Sequence, residues 1–99
     1  MTAKWIKTDG TITEVTPKDG VGFSLEELYE YIKHPKIPDP MVETQTLRSK
    51  GLILCCEENA MAYDLEPNNV ATMECAVDVI QPDKGILGNV LICHPSQLE

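Results

Sequence analysis

Four cysteines, at positions 55, 56, 75 and 93, and the histidine that follows the last of them are the side chains best suited to metal ligation or nucleophilic attack. Structural zinc takes cysteine pairs spaced typically about two to four residues apart on tight turns. Cys55 and Cys56 are instead adjacent, within an apolar run of strand character, so their sulfurs leave on opposite faces. Cys75, Cys93 and His94 come from distant segments. The expectation is therefore no metal, no cofactor and four buried free thiols. A cysteine nucleophile needs its base within hydrogen-bond reach of the sulfur, and Cys93 and His94, neighbours on one extended segment, diverge. The acidic pairs Glu26-Glu27 and Glu57-Glu58 read as helix capping and a solvated turn, and no glycine-rich loop precedes a helix. The chain reads as non-enzymatic.

Binding chemistry is the alternative. Asn68 and Asn69 stand at a helix start, with Thr72 one turn on; amides, a hydroxyl and free backbone N–H groups there suit an anion or the polar edge of a ring. The competing reading is that both asparagines only cap and turn the chain. Arg48 and Lys50 form a close basic pair with no evident acidic partner. Trp5 and Tyr63 offer ring faces for stacking, or serve as packing. These seven residues are the candidate ligand-binding set.

Elements must position them. Trp5 to Thr8 and Thr11 to Val15 flank Asp9-Gly10, which reads as a hairpin closed by a type I′ turn, with Ile12 on a half-buried face. Phe23-Ser24-Leu25-Glu26-Glu27-Leu28 carries a capping box, Ser24 with Glu27, and a hydrophobic staple, Phe23 with Leu28. Leu25, Leu28, Tyr29 and Ile32 continue it as one apolar stripe, and Pro35 stops it. This predicts a main helix over 24–34. Pro35, Pro38 and Pro40 stiffen the loop that follows. Val42 to Leu47 alternates as a half-exposed strand. The unbroken Leu52-Ile53-Leu54-Cys55-Cys56 suits a strand covered on both faces. Beyond the turn at 57–59, residues 60–65 read as its returning partner strand. A short, weak helix is expected near 69–77, with 78–80 either extending it or opening a strand, then a polar turn at 81–85 and a closing strand over 86–93. The fold class is α+β: an antiparallel sheet of about five strands, the 24–34 helix on one face, all in a single domain over 1–99.

Bulk composition bounds the partners. The net charge of −8, from 16 acidic and 8 basic residues, argues against direct nucleic-acid binding, which needs a clustered basic face. No apolar run approaches a membrane span and the first residues lack a charged-then-apolar pattern, so no membrane contact and a reducing cytoplasm are expected. With only five aromatic residues the core rests on aliphatic side chains, and so modest a core favours a homo-oligomer.

Three stretches resemble the family of small bacterial and phage proteins called domain of unknown function 3846. Thr-Pro-Lys-Asp-Gly-Val-Gly-Phe-Ser-Leu-Glu-Glu-Leu, from Thr16, resembles that family's Pro-x-x-Gly-x-x-Phe-Thr/Ser-Leu-Glu-Glu-Leu opening. Asn68-Asn69-Val70-Ala71-Thr72 is similar to its Asn-x-x-Ala-Thr, and Gly88-Asn89-Val90-Leu91 to its Gly-Asp-Val-Leu strand. Cys56-Glu57-Glu58-Asn59 stands where the family has Asn-Glu-Glu-Gly. The resemblance implies a phage or mobile-element origin and a compact α+β fold, with no established activity. The expected function is that of a small accessory protein that blocks host defence by sequestering a nucleotide-derived signal in the host cytoplasm. An acidic inhibitor that occupies a host protein is the alternative.

Overall fold

The computed structural model describes residues 1–79 and 85–98. Five strands and two helices run in the order β1 (Ala3–Ile6), β2 (Ile12–Val15), α1 (Leu25–Ile32), β3 (Val42–Leu47), β4 (Leu52–Glu57), α2 (Asn69–Cys75) and β5 (Val90–Cys93), followed by a 3-10 turn at Pro95–Gln97. The strands form one antiparallel sheet in the order β2-β1-β5-β4-β3. Two hairpins, β1–β2 and β3–β4, are thus joined through a strand that comes after both in sequence. The α+β class and the five-stranded antiparallel sheet agree with expectation.

Alternation along each strand sorts the core into two layers. Ala3, Cys55, Leu91 and Cys93 face Phe23 and Leu28 on the α1 side, with Trp5, Ile53 and Tyr31 packed around them. Ile6, Leu54, Cys56, Val90 and Ile92 pack with Ala71 and Cys75 of α2. Cys55 and Cys56 therefore do part to opposite faces, and β4 is covered on both, as its unbroken apolar run required. All four cysteines are free and buried. Burial pushes the Cys56 thiol up to about 12, and a hydrogen bond to Cys93, together with burial, holds Cys55 protonated.

The capping box forms: the Glu27 N–H donates to Ser24 Oγ at 3.2 Å, and the Ser24 N–H donates to Glu27 Oε1 at 3.2 Å. Helix α1 ends two residues before the expected His34, with Lys33 as its cap. Its apolar stripe is rotated from expectation. Leu25 is 51% exposed, whereas Leu28 and Ile32 are buried and Tyr31 turns inward against Trp5 and Phe23. Ser24→Ala is expected to cost about 1 kcal/mol, a fall of roughly 4–8 °C in melting temperature. A thermal melt unchanged by the substitution would contradict the cap.

The structure corrects several expectations. The first hairpin does not close through a type I′ turn, which needs positive φ at Asp9; among the described residues only Asp64 has positive φ outside glycine. Instead the Gly10 N–H bonds back to the Lys7 carbonyl, Gly10 takes φ 91° and the Lys7 N–H bonds to the Thr11 carbonyl, a bulged loop. The Asp9 carboxylate stabilises it by accepting from the Thr11 N–H at 2.8 Å. Ile12 is 45% exposed, because the α2-side core includes Ile6 of β1 and nothing from β2.

Residues 60–65 are not a strand. Their N–H groups bond to carbonyls a few residues back, Tyr63 to Asn59, Asp64 to Met61 and Leu65 to Ala60, and Asp64 at φ 52° breaks any extended run. No place beside β4 remained for them, since β3 and β5 take its two edges. Glu57, expected in a solvated turn, is 3% exposed and accepts from the Met41 and Asn59 N–H groups at 2.9 and 2.8 Å.

At the other end, α2 stops at Cys75, with turns following through Asp78. Strand β5 starts only at Val90, because Gly88 at φ 78° and its N–H bond to the Glu66 carbonyl tie the preceding residues to the lead-in of α2. Ile80, most of the turn expected at 81–85, and Glu99 lie outside the described residues.

Candidate functional site

The seven candidate residues do not converge. Asn68 is fully buried and its side chain is committed inside the fold. Its Oδ1 accepts from the Ala71 N–H at 3.1 Å as the cap of α2, while its Nδ2 donates to the carbonyls of Ile6 at 3.0 Å and Gly88 at 2.9 Å. The Thr72 hydroxyl donates to the Asn68 carbonyl at 2.8 Å and accepts from the Ile86 N–H at 2.9 Å. Asn69 is exposed. Lys50, expected to lack an acidic partner, pairs with Glu74 at 2.9 Å, which raises the lysine's pKa and lowers the carboxyl's. That pair, with the Ser49 hydroxyl on Asp78 at 2.6 Å, ties the β3–β4 turn to the end of α2; Arg48 stays exposed. Tyr63 lies in the turns after β4, 40% exposed.

Trp5 alone among the seven lines the groove of greatest interest, an open depression of about 800 Å³ beside β1 and the outer side of α1. The indole is fixed on two sides. Its Nε1–H donates to the Tyr31 carbonyl at 2.9 Å, and the Tyr31 ring meets it edge-on with centroids 5.2 Å apart. The ammonium of Lys7 lies over the indole at 4.5 Å from the ring centroid, a cation–π contact. Lys18 and Lys33 join Lys7 in the lining, so three of the chain's eight basic residues meet here.

Three carboxylates share the same walls, and they differ in availability. Glu27 is occupied: the Lys18 backbone N–H at 3.0 Å and the Ser24 N–H hold its carboxyl below the usual carboxylate range. Glu30 pairs with Lys33 at 2.7 Å, both side chains more than 60% exposed, and that bond lowers its pKa. Glu26 is exposed on the helix. Three positive and three negative side chains leave the groove neutral within a chain of net charge −8. The Lys18 ammonium forms no ion pair among the described residues. Asn89 Oδ1 accepts from the Thr8 N–H at 3.0 Å, which fixes the amide at the rim.

Neither cysteine nor histidine lines the groove, and the Ser24 hydroxyl is engaged by Glu27. Among the described residues no three His, Cys, Asp or Glu side chains converge on a position able to hold a metal ion, and no helix is long and apolar enough to cross a membrane.

Lys7, Lys18, Lys33, Tyr31 and Asn89 escaped the sequence reading. One local signal existed: Trp5 and Lys7 are two apart at the end of a strand, so they share a face. No family model matches the chain, and no curated protein or solved structure matches it either.

Proposed function

We propose that this protein is a non-enzymatic accessory protein that sequesters a nucleotide-like anion in the Trp5 groove. The observation that carries this reading is that Trp5, with Lys7 over its ring, shares one groove with Lys18 and Lys33. The charges of these three lysines balance the three carboxylates of the lining in a chain of net charge −8. Lysines supply the charge a phosphate needs, and Trp5 supplies a ring for a base. Lys7 covers the indole in the free protein, but an exposed cation–π contact is worth only about 0.5–1 kcal/mol. Stacking a base contributes about 1–3 kcal/mol. Moving Lys7 from the ring to a phosphate therefore costs less than the contacts it opens. Blocking of host defence, in the cytoplasm of a phage-infected cell, is the biological setting that the resemblance to the small phage proteins implies. A second copy facing the groove would enclose a ligand that one small domain leaves half open.

The competing reading is an acidic module that occupies a host protein. It draws on Met73 and Val77, at and just beyond the end of α2, which are 80% and 87% exposed. Host protein that co-purifies in fixed ratio, with no nucleotide bound, would favour it.

Trp5 is the only tryptophan, so fluorescence excited selectively at the indole, beyond the absorption of the three tyrosines, reports on the groove. Titration with a panel of mono- and dinucleotides is expected to quench it saturably, with matching heats by calorimetry. Lys18→Ala is expected to weaken binding about tenfold or more, since hydrogen bonds to charged groups contribute about 1.5–3 kcal/mol. Asn69→Ala should leave affinity unchanged. A panel that produces neither quenching nor heat removes the proposal.

A further inference from the structure

A second depression, of about 510 Å³, adjoins the first: Glu30 and Lys33 line both. Its other walls include Tyr29, His34, Pro35 and Pro38. Resting on the reading of the Trp5 groove as a nucleotide site, we infer that the two depressions are lobes of one site and that its ligand is a dinucleotide.

Size, rings and charge carry the inference. Small-molecule sites run from about 300 to 1,000 Å³, so the first lobe already accommodates one nucleotide and the second has room for another base. Each lobe offers aromatic rings held in place by the protein. In the first these are Trp5 and Tyr31. In the second, His34 is fixed through both ring nitrogens: Nε2 meets Glu66 Oε2 at 3.0 Å and Nδ1 accepts from the Lys36 N–H at 3.1 Å. With both nitrogens engaged the ring is held in one orientation, and the part of it that lines the depression, on a side chain 18% exposed, meets a base without ring reorganisation.

Lys33 stands between the lobes. Its bond to Glu30 is an exposed pair three residues apart on one helix, the kind that is given up at little cost. A ligand with a phosphodiester between two bases places a negative charge at this lysine. A peptide carrying two aromatic side chains matches the rings but brings a neutral linker, so it leaves the cation unused.

Calorimetry on the full chain tests this with three probes: adenosine monophosphate, the linear 5′-phosphorylated diadenylate and the cyclic diadenylate. At least one dinucleotide is expected to bind about tenfold or more tightly than the mononucleotide, the range of one added stacking contact. Tyr29→Leu and His34→Ala, each shown by thermal melting to be folded, should reduce that advantage and leave the mononucleotide affinity alone. Trp5→Phe should weaken all three. Equal affinities for mono- and dinucleotide, or an advantage that persists through both second-lobe variants, would overturn the two-lobed site and leave the single-groove reading standing. Absence of binding by all three probes, with none from any other nucleotide, would remove both.

Discussion

Asn68→Asp is expected to leave the chain largely unfolded at room temperature and neutral pH. The substitution keeps the oxygen that caps α2 but turns the donor to the Ile6 and Gly88 carbonyls into an acceptor. Each buried group left unpaired costs about 1–3 kcal/mol, and an uncompensated buried charge costs about 3–5 kcal/mol more. Against a total stability of about 5–15 kcal/mol for a domain, the sum is decisive. The sign of its pH dependence is a second check. Burial raises the folded-state pKa of the introduced carboxyl, so the neutral acid, able to donate one hydrogen bond, favours folding below the unfolded-state pKa of about 3.9. That relief is lost as pH rises through the folded-state value. Circular dichroism melts across pH measure both effects. A neutral-pH melting temperature within a few degrees of the parent would show that Asn68 does not hold α2 to the sheet.

Phe23→Ala is expected to cost about 3–5 kcal/mol, lowering the melting temperature by about 15–30 °C. Phe23 is 1% exposed and packs edge-on against Tyr31, with centroids 5.9 Å apart. Its N–H bonds to the Gln97 carbonyl, and it bridges to Leu98, so one residue binds the start of α1 to the segment after β5. Removal of the ring also frees Tyr31, whose carbonyl and ring fix Trp5. If the groove binds nucleotide as proposed, the quenching should therefore weaken at temperatures where the variant is still folded, whereas Phe23→Leu should retain most of both properties. If urea unfolding of Phe23→Ala shifted by less than about 1 kcal/mol, the ring would not be the packing centre argued here.

What could be read from the chain was local. Ser24 and Glu27 stand three apart, so the capping box was visible; Leu52 to Cys56 is an unbroken apolar run, so a doubly covered strand was visible too. The cap made by Asn68 was foreseen for the same reason. Its other two bonds were not, because they reach residues 62 and 20 positions away. Residues 60–65 were misread because alternation does not reveal that both edges of β4 are taken. The groove was hidden for the same cause: its lysines come from the β1–β2 loop, the approach to α1 and the end of α1, and only the completed sheet brings them together.

The order β2-β1-β5-β4-β3 also constrains how the chain is made. During synthesis the two hairpins emerge first, and each waits with an unpaired inner edge for a strand that the ribosome has not yet delivered. The sheet is complete only once β5 pairs with both of these inner edges. Until then the inner edges of β1 and β4 are open to pairing with neighbouring chains. Strand β5 thus closes two open edges in the act of completing the core.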